Sequence, residues 1–287
     1  MNAIIFGAGG QDGFYLTRLL QQQHIGVIAV SRSAGFIHTD ITDYAQVHEL
    51  IQKNQPDYIF HLAANSTTRH EAIFENHAAI STGTLNILEA VKNSSAHTKV
   101  FISGSALQFT NDQQPIKETD AFEARDPYAV SRIQSVYAAR YFRSLGIKTY
   151  VGYFFNHDSP LRSERHMCKK ISEACKRIAR GSEEKLLIGD IQAVKEWTFA
   201  GDTVKAVLTL VEQDVIFEAN IGTGMGYSIE DWLNECAALT GINWTHHVET
   251  DLSFVPAYQR LIADPGLIFS LGWKPETSFS DLAKMMM

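Results

Sequence analysis

Gly7, Gly10 and Gly13 stand three apart in the stretch GAGGQDGFYLTRLL, near the start of a 287-residue chain. Glycines so placed let backbone approach a diphosphate, provided that a strand precedes them and a helix follows. NAIIFG before them reads as a short buried strand. QDGFYLTRLLQQQH after them puts Phe14, Leu16, Leu19 and Leu20 on roughly one helical face, and GVIAVS (26–31) is a second strand. The first glycine then permits the tight turn, the middle one the approach of a pyrophosphate, and the last the packing of helix on strand. The helix N-terminus adds unpaired N–H groups and the positive end of a dipole. Because the spacing is GxxGxxG, with Gly9 in addition, the βαβ context carries this reading more than the glycines do. The second strand ends in Ser31-Arg32-Ser33, with no carboxylate to accept from a ribose 2′-hydroxyl. Arg32 suits a 2′-phosphate instead, so NADP(H) is expected over NAD(H). Basic residues are dense from Arg162 to Arg180 although the formal charge is −7, and a diphosphate needs such donors.

The elements that must hold these residues follow from the rhythm of the chain. DYAQVHELIQKN is helical, PDYIFHLAA (56–64) a strand, NHAAISTGTLNILEAVKN (76–93) a long helix and KVFISGS (99–105) a strand. PYAVSRIQSVYAARYFRSLG is a further helix and IKTYVGYFF (147–155) a further strand. Such alternation implies an α/β fold with a doubly wound parallel sheet of the Rossmann type. Ligands in these sheets lie beyond the carboxyl ends of the strands. That singles out Gly7 to Gly13, Ser31-Arg32, Ala63 to Ser66, Ser103 to Ser105 and Asn156-His157. After Asn156 the rhythm changes, and Ser228 with Asp231 marks a helix start at SIEDWLNECAALTG. We divide the chain into a Rossmann domain, 1–156, and a smaller substrate lobe, 157–287, in which about 186–222 rejoins the sheet.

Composition removes several function classes. The negative charge and the lack of a basic face argue against nucleic acid. No apolar run approaches the roughly eighteen residues of a membrane span. A first strand at Asn2 leaves no room for a signal peptide. Cys168, Cys175 and Cys236 have no CxxC spacing, which fits free thiols in a reducing cytoplasm. Eleven histidines include no HExxH, and adjacent His246 and His247 would point to opposite faces of a strand, so no metal is expected.

Taken together, GAGGQDGFYL, PDYIFHLAANS, GTLNILEAV, PYAVSR, FFNHDSP, GDIQAVKEW and LGWKP resemble the extended short-chain dehydrogenase/reductases that modify nucleotide sugars. Within them the chain is most similar to the GDP-mannose 4,6-dehydratase and GDP-4-keto-6-deoxymannose reductase branch. The resemblance implies NADP(H), a sugar-nucleotide substrate and a catalytic tyrosine, here Tyr128. A phenol ordinarily near pKa 10 must exchange its proton close to neutrality, and a cation one helical turn away helps it do so. The family has lysine there; this chain has Arg132, which keeps the charge but not the shape. Ser105 is the matching hydroxyl, with Ser103 or Gly104 as alternatives in a shifted register. The resemblance places cofactor contacts at Gly7, Gly10, Gln11, Asp12, Gly13, Arg32, Asp40, Ile41, Leu62, Ala63, Ala64, Ser103, Tyr128, Arg132, Phe155 and His157. It places substrate contacts at Ser66, Asn156, Arg162, Lys169, Lys170 and Lys195, with Lys176, Arg177 and Arg180 read as a solvated face. It also implies a homodimer through the helices at 76–93 and 128–145, for which Tyr137, Tyr141 and Phe142 are candidates.

Two departures weigh on the reaction. The dehydratases carry a glutamate two residues beyond the catalytic hydroxyl, where this chain has Leu107, or Ala106 in the other register. An asparagine frequent in the family is replaced by Ile80. Reduction of a GDP-4-keto-6-deoxy-hexose needs only hydride, Tyr128 and Ser105, and is the leading expectation. A 4,6-dehydratase, an epimerase and a non-catalytic sensor of NADP(H) or a nucleotide sugar remain as alternatives.

Overall fold

The computed structural model of the protein describes residues 1–287 except Leu252 and Val255. In its first half the elements are β1 (Asn2–Phe6), α1 (Gln11–Gln22), β2 (Gly26–Val30), α2 (Tyr44–Asn54), β3 (Tyr58–His61), α3 (Ile73–Asn76), α4 (Gly83–Ser94), β4 (Lys99–Ser105), α5 (Pro127–Ser144) and β5 (Thr149–Phe154). Then come β6 (His157–Asp158), α6 (Met167–Ile178), β7 (Leu186–Ile188), β8 (Val194–Lys195), β9 (Thr198–Phe199), α7 (Ala200–Val211) and β10 (Glu218–Ile221). The chain closes with β11 (Tyr227–Ser228), α8 (Ile229–Thr240), β12 (Val248–Thr250), β13 (Arg260–Leu261), α9 (Gly266–Ser270) and α10 (Phe279–Met286).

Ala3 and Ile5 of β1 face one layer, Ile4 and Phe6 the other, and all four are buried. A strand covered on both faces belongs inside a parallel sheet. β1 lies there, in a six-stranded sheet of order β10-β5-β4-β3-β1-β2 whose neighbours all pair in parallel. Chain progression reverses at β1, which makes its carboxyl end the switch point where ligands sit. Helices α2, α4 and α5 cover one face, and α1 and α7 the other.

The lobe has its own core between α6, α8 and α10, where Trp197 stacks on Trp232 at 4.7 Å. Cys168, Cys175 and Cys236 are free thiols buried in it. The expected cap of α8 is present: Ser228 Oγ accepts from the Asp231 amide at 2.9 Å, and Asp231 accepts from the Ser228 amide at 2.8 Å.

Two elements differ from the sequence reading. The helix expected over 76–93 begins earlier, at α3, and passes through a π-helical turn, His77–Thr82, before α4. Within that turn the Ile80 carbonyl accepts from Ser135 Oγ at 3.2 Å and faces His61 Nε2 at 3.4 Å, so tertiary partners replace the regular ladder. The segment rejoining the main sheet is also shorter than 186–222. β7 pairs with β12, and β8 with β11 and β13, all within the lobe; α7 and β10 alone return to the sheet.

Candidate active site

Gly7 follows β1 with φ +92°, a conformation that favours glycine, and a Cβ there would lie 2.6 Å from the Ala63 nitrogen. A Cβ on Gly13 would lie 2.5 Å from the Gly7 carbonyl oxygen, so α1 docks against the strand as the spacing implied. Gly10 is open apart from the Gly7 carbonyl at 3.4 Å. Gly9, read only as an extra glycine, has its own reason: a Cβ would meet Ser31 Oγ at 2.6 Å. This cradle fits a dinucleotide diphosphate, because closely approached backbone and a helix N-terminus converge on it.

Two cavities meet at the cradle and share Gly10, Leu62 and Ala64. The outer one, about 520 Å³, is lined by Gly7, Arg32, Asp40, Ile41 and Ala63 among others. Arg32 is largely in water, 3.6 Å from Glu75, and Asp40 Oδ1 accepts from the Thr42 amide and hydroxyl at 2.9 and 2.8 Å. The inner cavity, about 310 Å³, collects Gln11, Asp12, Ser66, Ser103, Ser105, Tyr128, Arg132, Phe155, Asn156, His157, Arg162 and Lys195. Residues distant in sequence thus meet at the carboxyl ends of β1, β3, β4 and β5.

The corner that holds the expected catalytic residues is built from β4 and α5. Asp126 caps α5 by accepting from the Ala129 amide at 2.9 Å, and Pro127 is pre-shaped for the first turn, so Tyr128 stands at the cavity. One turn on, Arg132 is 4% exposed. Its Nη1 donates to the Ser103 carbonyl and, at 2.7 Å, to Ser103 Oγ, while its guanidinium carbon lies 5.0 Å from the centre of the Tyr128 ring. Ser103 Oγ in turn donates to the His61 carbonyl at 2.9 Å, which commits its proton. Ser105, on the same face of the strand, accepts from the Leu107 amide at 3.2 Å and keeps its proton to donate. The third alternative, Gly104, faces the other way, where a Cβ would meet Tyr153 at 2.7 Å. Beneath the corner, burial and then the Arg132 charge push the His61 pKa down to about 3, so it is neutral near pH 7.

On the substrate side, Lys195 Nζ sits 4.3 Å over the Trp197 ring. Arg162 donates to the His157 carbonyl at 3.1 Å and lies 3.4 Å from Asp158. Lys169 and Lys170 are not brought to the cavity. Lys169 pairs with Glu173 at 2.7 Å, and Lys170 donates to the Leu187 carbonyl at 3.0 Å. Lys176 and Arg177 pair with surface glutamates, as a solvated face would.

Sequence reasoning missed Asp158, Cys168 and Tyr258 as lining residues. Asp158 lay inside the NHDSP motif and was available to it. Tyr258, partly buried and with its phenol pushed up to about 12 by desolvation, lies in a stretch with no periodicity to signal it. Leu107 and Ala106, the two positions at which the resemblance expects a dehydratase glutamate, both line the cavity. Among the described residues the acidic side chains lining it are Asp12, 3.0 Å from His157, and Asp158, 3.4 Å from Arg162.

A dinucleotide groove that runs under a separate lobe, with a phenol and a hydroxyl where the two meet, is how extended short-chain dehydrogenase/reductases are arranged. The protein is an enzyme of that type acting on nucleotide sugars. Residues 4–286 match the family described as GDP-mannose 4,6 dehydratase, and the chain belongs to that family. GDP-mannose 4,6 dehydratase 2 of Arabidopsis thaliana is 32% identical over 317 residues, covering 99% of this chain and 85% of the relative. In fold, the Thermus thermophilus UDP-glucose 4-epimerase complex with NAD superposes with a TM-score of 0.86 at 20% identity, covering 100% of this chain and 97% of that one. RMD from Pseudomonas aeruginosa, complexed with NADPH, gives 0.86 at 19% identity, covering 99% and 95%. The family match favours the dehydratase reading over the reductase reading that led the sequence expectations.

Proposed function

We propose that the protein takes NADP(H) and a GDP-hexose and performs chemistry of the GDP-mannose 4,6-dehydratase kind, beginning with oxidation at sugar C4. The observation that carries this reading is the convergence of Ser105 and Tyr128 on one cavity, in a chain that matches the family nearly end to end. The nicotinamide, when bound, accepts and returns hydride. Ser105 donates a hydrogen bond to the sugar O4, and Tyr128 takes the O4 proton as hydride leaves C4; C4 stays a ketone, so of the O4 and C5 protons one departs with the C6 hydroxyl as water and the other is returned to C5. Arg132 supplies the positive field beside the phenol without shuttling a proton. Asn156, Arg162 and Lys195 hold the sugar nucleotide, with the two cations facing its diphosphate. Arg32, flanked by Ser31 and Ser33, selects the 2′-phosphate.

A second reading, reduction of a 4-keto-6-deoxy sugar, has one specific observation in its favour. Elimination of water across C5 and C6 needs a group to move a proton between them, and Leu107 cannot. The deciding experiment incubates the protein with GDP-mannose and NADP⁺, and separately with a GDP-4-keto-6-deoxy-hexose and NADPH, and weighs the products. Loss of one water from GDP-mannose without net cofactor use supports dehydration. NADPH oxidation by the keto sugar alone supports reduction, and binding without turnover in both supports a sensor.

The homodimer belongs to the same proposal. Tyr137 and Tyr141 are more than half exposed on α5, whereas Phe142 is buried in the core and leaves the pairing surface to the two tyrosines. Among the described residues no helix is long and apolar enough to cross a membrane.

A further inference from the structure

The two motifs that most clearly carry the family resemblance, GQDG and NHDSP, hold on to each other. Ser159 Oγ donates to Gln11 Oε1 at 2.8 Å, and Gln11 Nε2 donates to the His157 carbonyl at 3.2 Å. His157 Nε2 lies 3.0 Å from Asp12 Oδ1, and its Nδ1 lies 2.8 Å from the Phe155 carbonyl. Gln11 and His157 are each 8% exposed, and Ser159 is fully buried. Both ring nitrogens of His157 therefore face acceptors, an arrangement that two N–H donors satisfy and a neutral ring does not.

The place of this pair is what makes it consequential. Asp12 stands in the first turn of α1, lining the cavity beside the glycine cradle. A bare carboxylate there would oppose the anion that such a helix N-terminus otherwise attracts. We propose that Asp12, partly exposed to the cavity, and the buried His157 form an ion pair that latches the glycine-rich turn to the substrate segment and screens the Asp12 carboxylate from a dinucleotide diphosphate. Both are then positioning residues rather than direct cofactor ligands. The proposal rests on the reading of the groove as a dinucleotide site.

The surroundings agree with a charged pair. Burial works against the His157 charge, but the attraction and hydrogen bond of Asp12 outweigh it and hold the ring above its ordinary pKa. For Asp12, burial is likewise outweighed by His157 and Arg162, which hold the carboxyl below its ordinary range. The other charged groups nearby are Arg162, bonded to the His157 carbonyl, and Asp158, which faces Arg162. The Phe154 ring packs edge-on at 5.1 Å and adds no charge. Since Asn156 and Arg162 lie on the latched segment, the same pair ties the geometry of the substrate side to that of the cofactor side.

The test is a cycle of Asp12→Asn, His157→Gln and the double variant, each titrated with NADP⁺ and NAD⁺ and followed by tryptophan fluorescence. His157→Gln exposes the carboxylate and should weaken binding at least about tenfold. Adding Asp12→Asn to it should restore affinity to within about threefold of the parent. In the parent, affinity should fall as pH rises through the His157 pKa, which stands above 6.5, while the double variant gives a flat profile. Losses that multiply in the double variant would mean that each residue touches the cofactor independently, and would overturn the proposal. A flat profile in the parent overturns it too, and that measurement needs no variant to fold. A parent that binds neither dinucleotide defeats the cofactor reading instead. The latch is then judged on the melting temperatures of the four proteins: a double variant that melts above the weaker single supports it, and additive losses sink it.

Discussion

Two arginines mark the two ends of the groove and stand in opposite conditions. Arg132 at the inner end is 4% exposed and already bonded to Ser103, whereas the Arg32 side chain at the outer end is 83% exposed and 3.6 Å from Glu75. The same guanidinium does different work in each place. At the inner end little water screens its field, and the structure fixes its position before any ligand arrives. At the outer end water screens the charge, and an ion pair there contributes roughly 0–1 kcal/mol. The proposed function accordingly assigns chemistry to the buried end and selection between cofactors to the exposed one.

The largest expected effect tests the inner end. Tyr128→Phe should lower turnover by about 10²–10⁴-fold while leaving dinucleotide affinity within about twofold, because a proton-transfer group is lost and little contact area. A loss of affinity as large as the loss of turnover would make Tyr128 a binding residue and dissolve the contrast.

Arg132→Ala comes next. It leaves the Ser103 carbonyl and hydroxyl without their charged donor, an expected loss of about 1.5–3 kcal/mol in denaturant unfolding. It should also move the pH–rate profile to higher pH, since a positive charge within about 4–6 Å favours the ionised form of an acid. Arg132→Lys should recover much of the rate. His61 adds an acid signature. Its folded pKa, about 3, lies below the ordinary 6.5, so its contribution to stability is present above 6.5 and is lost as pH falls toward 3. Without the Arg132 charge that loss should shrink. A pH–rate profile identical to the parent's would reduce Arg132 to a structural role.

The smallest effect belongs to the outer end. Arg32→Asp should weaken NADP⁺ by about tenfold, roughly 1.4 kcal/mol, and turn the preference toward NAD⁺. Dissociation constants for the two cofactors settle it. If the unmodified protein binds both alike, Arg32 selects nothing.

The local pieces were legible in the order of the amino acids. Apolar runs placed β1, β4 and β5, the glycine spacing placed the turn at Gly7 to Gly13, and Ser228 with Asp231 fixed the start of α8. Each depends on side chains within a few residues of one another, so periodicity and capping expose them directly. The resemblance to a family added Tyr128 and Ser105, whose roles no local pattern states. Where the long polar side chains went depended on the packed fold. Arg132 turned to Ser103, twenty-nine positions away, and Asp12 met His157 across 145. Lys169 and Lys170, in a run dense with positive charge, turned to Glu173 and the Leu187 carbonyl instead of the cavity. Phe142 went inward while Tyr137 and Tyr141 stayed outside. A flexible side chain takes whichever partner the neighbouring strand or helix presents, and that neighbour is set by the order of strands in the sheet, which no short stretch of sequence contains.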